Sequence, residues 1–300
     1  MFQVPILLVL YNRVADTHNL FQVIKDLKPS QLYVAADGAI HNDRLDYLNC
    51  LKTRAVIMPE WECEVHEFFN EEHYGKSKMI HHAVSWFFSH VDEGIILFDD
   101  TLPNMDFFYY CEELLIKYRN EFKISHIGGT NFQKRFQRGN ASYYFSAYST
   151  TWGFATWSDR WKNFDLKMTE LDDVDFSKVV SNYVDKPKEK NYWTRRFNIL
   201  KKYDLDIWEY QYNYHIWYHN GLCITPNVNL VTNVGLKNRK RKIRKLIRQA
   251  EKILPLTHPE EIVQNIEADR YAFKHVYNRI FIQMFADWFN EYLLGKKKKI

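Results

Sequence analysis

The amino-acid sequence predicts an α/β fold, with a mainly parallel sheet flanked by helices and a C-terminal helical appendage. Over the first 128 residues, short apolar runs alternate with segments whose apolar residues recur at helical spacing. Strands that alternate with helices in this way form parallel sheets covered on both faces. The segment Glu93–Pro103, EGIILFDDTLP, is a second observation, because its apolar run stops at Asp99 and Asp100. An unbroken apolar run that ends in polar residues is typical of a buried parallel strand.

The composition restricts the class of protein. The chain has 300 residues, of which 46% are hydrophobic and 26% charged, so we expect a globular protein with one large domain or one domain and an appendage. Its four cysteines form no CxxC pair, which argues against a structural zinc site and a disulfide framework and favours a reducing, cytoplasmic compartment. No run of about 18 apolar residues is present, so the sequence predicts no membrane-spanning helix.

The elements of the first half follow in order from these patterns. Strands are expected at Val4–Leu10, Gln31–Ala36, Ala55–Met58, Glu93–Phe98 and Lys123–Gly128. Helices are expected from Asp16 or Thr17 onward, at His41–Thr53, at Gly75–Ser89 and from Pro103-Asn104 onward. The segment Glu60–His73 is rich in acids and histidines and is expected to be a loop.

The second half is denser in aromatic residues and less regular. Extended segments are expected at Ser142–Tyr148, Leu222–Thr225 and Asn229–Thr232, and helices at Lys188–Tyr203, Ile207–His219, Lys237–Lys252 and Pro259–Leu294. We therefore predict one catalytic domain over residues 1–235 and a basic, aromatic helical appendage over residues 236–300.

Polar side chains follow three of the predicted strands. Asn12 and Arg13 follow the first strand, Asp37 follows the second, and Asp99 and Asp100 follow Phe98. Right-handed crossovers place the carboxyl ends of parallel strands at one edge of a sheet, where open α/β folds bind their ligands. These side chains suit a metal-bound nucleoside diphosphate, with Asp37 at the base or ribose, Asp99 at the ribose and Asp100 on a divalent cation.

The phosphates of such a ligand need a partner. The sequence contains neither GxGxxG nor GxxxxGK[ST], so the two common backbone cradles for phosphate are absent. Arg13 is a candidate, because a guanidinium group matches phosphate geometry, although it could instead pair with a surface acid. Lys76 and Lys78 follow Gly75 at a predicted helix start, where they could contact the donor or lie on a solvated face, and the family resemblance described below favours Lys78.

An ordered series of motifs resembles a known family. The segments are LVLYNR (Leu8–Arg13), AADG (Ala35–Gly38), GIILFDDTLP with DFF (Gly94–Phe108), SYYFSAY (Ser142–Tyr148), WGFATW (Trp152–Trp157), WEYQY (Trp208–Tyr212) and PNVNLVTNVG (Pro226–Gly235). Over roughly residues 4–235 the chain resembles the GT-A-fold nucleotide-sugar glycosyltransferases, specifically a family-2-like bacterial group with a hemolytic-protein-like description. The resemblance implies transfer of a sugar from a nucleoside-diphosphate donor, UDP-linked, to a glycan or lipid-linked acceptor hydroxyl, with inversion and with Mn²⁺ or Mg²⁺ as cofactor.

The resemblance also assigns residues. Asp100 matches the last acid of the family's metal-binding triplet, Asp99 the middle acid and Asp37 the nucleoside-binding acid, while Tyr11, Asn12 and Arg13 fall in the donor-binding segment after the first strand. Glu209 matches the acid of the family's Trp-Asp-x-Gln-Trp segment and is the candidate general base, with Asp206 as a nearby competitor. Trp152 is the candidate acceptor contact.

Three departures from the family pattern leave alternatives open. Phe98 stands where the family has the first acid of the triplet, Thr101 replaces a Cys, and no His follows Asn233-Val234-Gly235 until His258. One alternative is a degenerate GT-A domain that acts as a glycan- or partner-binding module. Another is a nucleotidyltransferase, which also uses paired acids and a metal and releases pyrophosphate.

The charge of the chain is distributed unevenly. Residues 237–300 hold 16 Lys and Arg against 7 Asp and Glu, so their net charge is +9. The whole chain has a net charge of +4, so residues 1–236 have a net charge of −5. Lys237–Lys252 combines a basic face with an apolar stripe, a pattern that favours docking on the inner, anionic face of a membrane over core packing. The acidic body would repel a duplex, so a nucleic-acid partner is disfavoured.

Overall fold

The computed structural model describes residues 1–134, 136–169, 175–203, 205, 207–236 and 252–277. Its strands are β1 Ile6–Leu10, β2 Gln31–Ala36, β3 Glu64–Phe69, β4 Glu93–Phe98, β5 Thr101–Pro103, β6 Ile124–Gly128, β7 Tyr143–Ser146, β8 Phe154–Trp157, β9 Leu222–Pro226 and β10 Val231–Asn233. Its helices are α1 Val14–Leu27, α2 Arg44–Arg54, α3 Lys76–Phe87, α4 Met105–Tyr118, α5 Ser158–Trp161, α6 Phe176–Ser181, α7 Pro187–Tyr203, α8 Trp208–Tyr218 and α9 Ile266–Ala272, with a 3₁₀ turn at Val234–Leu236 and a π turn at Phe273–Tyr277.

Within the described residues, eight strands form one sheet in the order β3-β2-β1-β4-β8-β6-β9-β7. Strands β3, β2, β1 and β4 are parallel, which is the strand order of one half of a Rossmann-like fold. Strand β8 is antiparallel to β4 and β6, and β7 is antiparallel to β9. Strands β5 and β10 form a separate antiparallel pair, and β5 follows β4 directly in the chain. The predicted α/β class with a mainly parallel sheet is confirmed.

Both faces of the sheet are covered, as its continuous apolar strands require. Strand β1 is fully buried; Leu8 and Leu10 pack with the apolar faces of α1 and α4, and Leu7 and Val9 pack with those of α3, α7 and α8. This alternation follows from the period of two of a β-strand. The carboxyl ends of β1, β2 and β4 are therefore fixed at one edge by two layers of helices.

The third strand lies later in the chain than the sequence predicts. Ala55–Met58 is not a strand; its amides bond back to the last turn of α2, for example Val56 to Thr53. Strand β3 instead falls inside the expected loop, where Glu64 to Phe69 pair in parallel with β2. β3 is an edge strand that is largely solvent-accessible, so its sequence EVHEFF includes three polar residues and lacks the continuous apolar run of a central strand.

Helix α8 is buried on almost every side. Nine of its residues from Trp208 to Trp217 are buried, and aromatic side chains dominate its contacts with α7. A helix that is apolar all round belongs in the core. The backbone N–H of Trp208 donates to Ser77 Oγ in α3 at 3.2 Å, so the start of α8 is tied to the start of α3.

The described part of the C-terminal region packs on the sheet. Asp269 in α9 accepts from Ser146 Oγ at 2.5 Å, from the N–H of Ala147 at 2.9 Å and from Gln264 Nε2 at 2.8 Å. Helix α9 begins at Ile266, so the first seven residues of the predicted helical region Pro259–Leu294 are not helical. The predicted helix Lys237–Lys252 and the remainder of that region lie largely or wholly outside the described residues, and the domain division at residue 235 stays a prediction. In the part of the chain that the structure describes, no helix combines the length and apolarity needed to cross a bilayer.

Candidate functional site

A cavity of about 380 Å³ opens at the carboxyl ends of β1, β2 and β4. Three predicted strand endings do converge there. Seven of the nine side chains predicted from the sequence line this cavity: Tyr11, Arg13, Asp37, Asp99, Asp100, Trp152 and Glu209. The other two, Asn12 and Lys78, are not among its lining residues. We call this cavity the donor cavity, after the role that we propose for it below.

Asp99 is a buried carboxyl group at the end of β4. Its Oδ2 accepts the N–H of Tyr11 at 2.9 Å, and its Oδ1 lies 3.8 Å from Arg13 Nε. Burial, and then repulsion by Asp100, raise the pKa of Asp99 from 3.8 to about 7, against the opposing effect of the Tyr11 N–H and Arg13. A bound cation would favour the ionised form of this pair of acids.

Asp100 is held against the segment that follows β10. The N–H of Val234 donates to the Asp100 carbonyl at 2.8 Å. A Cβ atom on Gly235 would lie 2.8 Å from Asp100 Oδ2 and 3.2 Å from Arg13 Nη1. Glycine at position 235 therefore lets the backbone approach both charged groups, which explains why the motif Asn233-Val234-Gly235 accompanies the acidic pair.

The residues at this point suit a divalent cation. Asn233 Oδ1 is buried, lines the donor cavity and has no hydrogen-bond partner among the described residues. With Asp99 and Asp100 it forms a set of oxygen donors, which Mg²⁺ and Mn²⁺ prefer. The described residues contain no cluster of three or more His, Cys, Asp or Glu suited to a metal, so a cation beside Asp99 and Asp100 would need a further ligand, for which Asn233 is a candidate. His258, the next histidine in sequence, bonds Tyr143 at 2.9 Å and Glu113 at 3.1 Å and does not line the cavity.

Asp37 organises the turn that leads into α3. Its two carboxylate oxygens accept the N–H groups of Gly38, Tyr74 and Gly75 at 2.9 to 3.0 Å, and His73 Nδ1 lies 3.0 Å from Oδ2. The site needs glycine at position 38, because a Cβ there would lie 2.4 Å from the Glu72 backbone. Most of the hydrogen-bonding capacity of Asp37 is therefore used within the protein, and its predicted contact with a nucleoside stays a prediction.

The sequence analysis did not single out Asp46 and His73, which lie at the same edge of the cavity. Asp46 accepts from Tyr11 Oη at 2.7 Å, from Asn12 Nδ2 at 2.5 Å and from the N–H of Ile40 at 2.8 Å. Burial would raise the pKa of Asp46, but these three hydrogen bonds outweigh it and lower the pKa. The Asn12 side chain thus binds Asp46 outside the cavity wall.

The Tyr11 ring lies 5.0 Å from the ring of His73, and both residues line the donor cavity. Aromatic faces at such a position suit a nucleobase. No spacing motif links Tyr11 to Asp46 or His73, so only the three-dimensional arrangement identifies this group.

Lys76 and Glu209 form an ion pair across the opposite side of the donor cavity. Lys76 lies in the first turn of α3, and Glu209 lies in the first turn of α8. Lys78 is exposed on α3 and does not line the cavity, so the structure places Lys76, not the favoured Lys78, beside the other candidate residues. The competing acid Asp206 lies outside the described residues.

Trp152 lies where two cavities meet. Its ring packs edge to face against Phe132 at 5.2 Å. A second cavity, of about 110 Å³, shares Thr151, Trp152 and Glu209 with the donor cavity. The candidate base and the candidate acceptor contact therefore stand between two adjoining spaces.

Comparisons with known proteins give no family assignment. No family model and no curated protein matches the chain. Among solved structures, it is similar to HddC from Yersinia pseudotuberculosis, with 9% identity and a TM-score of 0.31 over 53% of this chain and 78% of that one. It is also similar to a proposed glucose-1-phosphate thymidylyltransferase from Bacillus anthracis in complex with sucrose, with 9% identity and a TM-score of 0.30 over 66% of this chain and 84% of that one.

Proposed function

We propose that the protein is a glycosyltransferase that moves a sugar from a nucleoside-diphosphate sugar, UDP-linked, to a hydroxyl of a glycan or lipid-linked acceptor. One observation carries the proposal: the acidic pair Asp99–Asp100 and the candidate base Glu209 line the same cavity of about 380 Å³. Sugar transfer needs both functions within reach of one donor.

Each side of the cavity supports one part of the reaction. Tyr11, with the turn built on Asp37, would hold the nucleoside, and Arg13 and Lys76 would contact the diphosphate. The acceptor oxygen attacks the anomeric carbon, and the bond from that carbon to the phosphate oxygen breaks. The electron pair of the broken bond leaves with the nucleoside diphosphate, and Glu209 takes the proton of the acceptor hydroxyl.

Asp99, Asp100 and Asn233 would hold the divalent cation. When bound, Mn²⁺ or Mg²⁺ neutralises charge on the diphosphate and makes it a better leaving group. Arg13 lies beside the same acids and contributes a second positive charge.

Two measurements test this function. Calorimetric titration of nucleoside diphosphates, with and without Mn²⁺, is expected to show one diphosphate that binds tightly in the presence of the metal. Incubation with the matching nucleotide sugars and a panel of glycans is expected to release that diphosphate and extend one glycan by one sugar.

Two other outcomes would replace the proposal. Release of pyrophosphate from a nucleoside triphosphate and a sugar phosphate would make the protein a nucleotidyltransferase. Glycan binding without nucleotide binding or turnover would make it a degenerate binding module.

A further inference from the structure

The second cavity, which we call the inner chamber, lies on the far side of Trp152 from the donor cavity. Its volume is about 110 Å³. Its walls come from Trp152, from Tyr210 and Asn213 in α8, and from Val276 and Tyr277 at the end of the described C-terminal segment. A cavity of roughly 150 Å³ holds one benzene ring, so the inner chamber alone is smaller than one six-membered ring. A ring that enters the chamber would therefore also occupy part of the adjoining donor cavity, and an extended chain does not fit.

Asn213 lines this chamber and has an unused donor. The residue is 3% exposed, and its Oδ1 accepts the N–H of Ser149 at 2.8 Å and the hydroxyl of Ser149 at 3.2 Å. These two hydrogen bonds fix which end of the amide is the oxygen. Asn213 Nδ2 is buried and has no hydrogen-bond partner among the described residues. A buried donor without a partner is unfavourable, so the chamber favours a ligand that offers an acceptor oxygen.

The charge of the walls distinguishes the two cavities. Arg13 and Lys76 line the donor cavity, whereas the described lining of the inner chamber contains no Lys or Arg. Glu209 is the one ionisable acid in that lining. This arrangement suits an uncharged ligand that both accepts and donates hydrogen bonds, and it disfavours a phosphate.

We propose that the inner chamber binds one sugar ring of the acceptor, with Asn213 Nδ2 donating to a ring hydroxyl and the aromatic walls covering the C–H faces of the ring. A hydroxylated ring suits two features of the chamber, namely its unused donor and its aromatic walls without Lys or Arg. The proposal rests on the proposed function, because it needs Glu209 to act as the base. Glu209 lines both cavities, so it would stand between an acceptor hydroxyl in the chamber and a donor sugar in the donor cavity.

Asn213→Asp is the sharpest test, because it keeps the oxygen that accepts from Ser149 and removes the N–H₂ group. Asn198→Asp makes the same chemical change at an exposed position of α7. Binding of methyl glycosides of glucose, galactose, mannose and N-acetylglucosamine would be followed by saturation-transfer NMR in the presence of UDP. We expect at least one glycoside to bind the wild type and Asn198→Asp equally, and to bind Asn213→Asp about tenfold more weakly or worse.

Val276→Phe is an independent test that fills the chamber from the C-terminal segment. We expect it to abolish glycoside binding while the calorimetric affinity for UDP stays within twofold of the wild type. A thermal melt checks that each variant is folded, and if Asn213→Asp does not fold, Val276→Phe carries the test.

Two results would overturn the inner-chamber proposal: no glycoside binds the wild type, or glycosides bind both chamber variants as well as the wild type. If the wild type binds UDP in either case, the proposed function still stands. If the wild type does not bind UDP, the proposed function itself is contradicted.

Discussion

Asp99 is buried between the end of β4 and the backbone of Tyr11, next to a second carboxylate. Because its pKa in the fold is raised to about 7, folding favours the protonated form. The stability that accompanies protonation is fully present below the unfolded pKa, near 4, and is lost as the pH rises through about 7. The ionised acid therefore costs the folded apo-protein stability at neutral pH, and that cost is the reason a cation is expected to bind.

Asp99→Asn is expected to stabilise the metal-free protein at pH 8 by up to about 4 kcal/mol, and the gain is expected to vanish near pH 4. The amide keeps an oxygen for the Tyr11 N–H but cannot ionise. Urea unfolding of both proteins at several pH values measures the difference, and other titrating groups cancel because both proteins have them. A difference that does not vary with pH would contradict the assignment of the raised pKa to Asp99.

Asp100→Ala is expected to abolish the metal-dependent part of nucleoside-diphosphate binding, because it removes one of the three proposed oxygen ligands. The variant should retain any binding that depends on Arg13 and Lys76 alone. Calorimetry with and without Mn²⁺ measures both parts, and Asp106→Ala, in the first turn of α4 outside the cavity lining, is a control at a nearby acid. Metal-dependent affinity equal to that of the wild type would exclude Asp100 as a ligand.

Glu209→Gln is expected to lower the rate of sugar transfer by roughly 10²- to 10⁴-fold, because the amide cannot take the acceptor proton. Nucleoside-diphosphate affinity should not fall, since the proposed diphosphate contacts Arg13 and Lys76 remain and Lys76 loses its ion-pair partner. Glu260→Gln, at an exposed position, is the matched control. Turnover that stays within a factor of about three of the wild type would transfer the role of base to another group.

At the scale of elements, α3 and α8 together position Lys76 and the candidate base Glu209. Lys76 and Glu209 stand in the first turns of these two helices, and the bond from Trp208 N–H to Ser77 Oγ fixes one start against the other. Helix α3 contributes Lys76 and helix α8 contributes Glu209, so the relative placement of the two helices determines where the candidate base lies.

Helix α9 has a different task, which is to hold the C-terminal segment on β7. Asp269→Ala is expected to destabilise the fold by roughly 3–5 kcal/mol, because the donors of Ser146, Ala147 and Gln264 would lose their shared acceptor. Glu267→Ala in the same helix removes an exposed acid that lies 3.6 Å from Arg138 and should cost about 0–1 kcal/mol. Denaturant unfolding measures the change in the free energy of unfolding for both variants. Equal changes would show that Asp269 does not hold the C-terminal segment on β7.

The elements also show how far the sequence specifies the molecule. Strands β1, β2 and β4 could be predicted because central strands are buried on both faces and read as continuous apolar runs. Strand β3 could not, because an edge strand keeps polar residues, and Ala55–Met58 offered a more apolar alternative. The acids at the strand ends were predictable from topology, whereas the partners Asp46 and His73 were not, because side-chain contacts between loops have no sequence period.

At the scale of the whole molecule, the described C-terminal residues are part of the core. Residues 252–277 supply Asp269 to the sheet and Val276 and Tyr277 to the inner chamber. Truncation after residue 236 would therefore remove packing as well as charge, and it would not test membrane docking cleanly. Substitution of basic side chains within residues 237–252 changes the charge while the chain stays complete.

The basic segment Lys237–Lys252 is expected to bind anionic liposomes. Each basic residue near an anionic surface contributes about 1 kcal/mol, so replacing Arg239, Lys240, Arg241 and Lys242 with Gln should weaken sedimentation with phosphatidylserine liposomes by roughly two orders of magnitude or more. Replacing Lys186, Lys188, Lys190 and Lys201, near or in α7, with Gln removes the same charge elsewhere. Wild-type sedimentation should also fall as salt rises, because exposed charges are screened within about 8 Å at physiological ionic strength. If both variants sediment like the wild type, the segment does not dock on membranes and the acceptor must reach the donor cavity from solution.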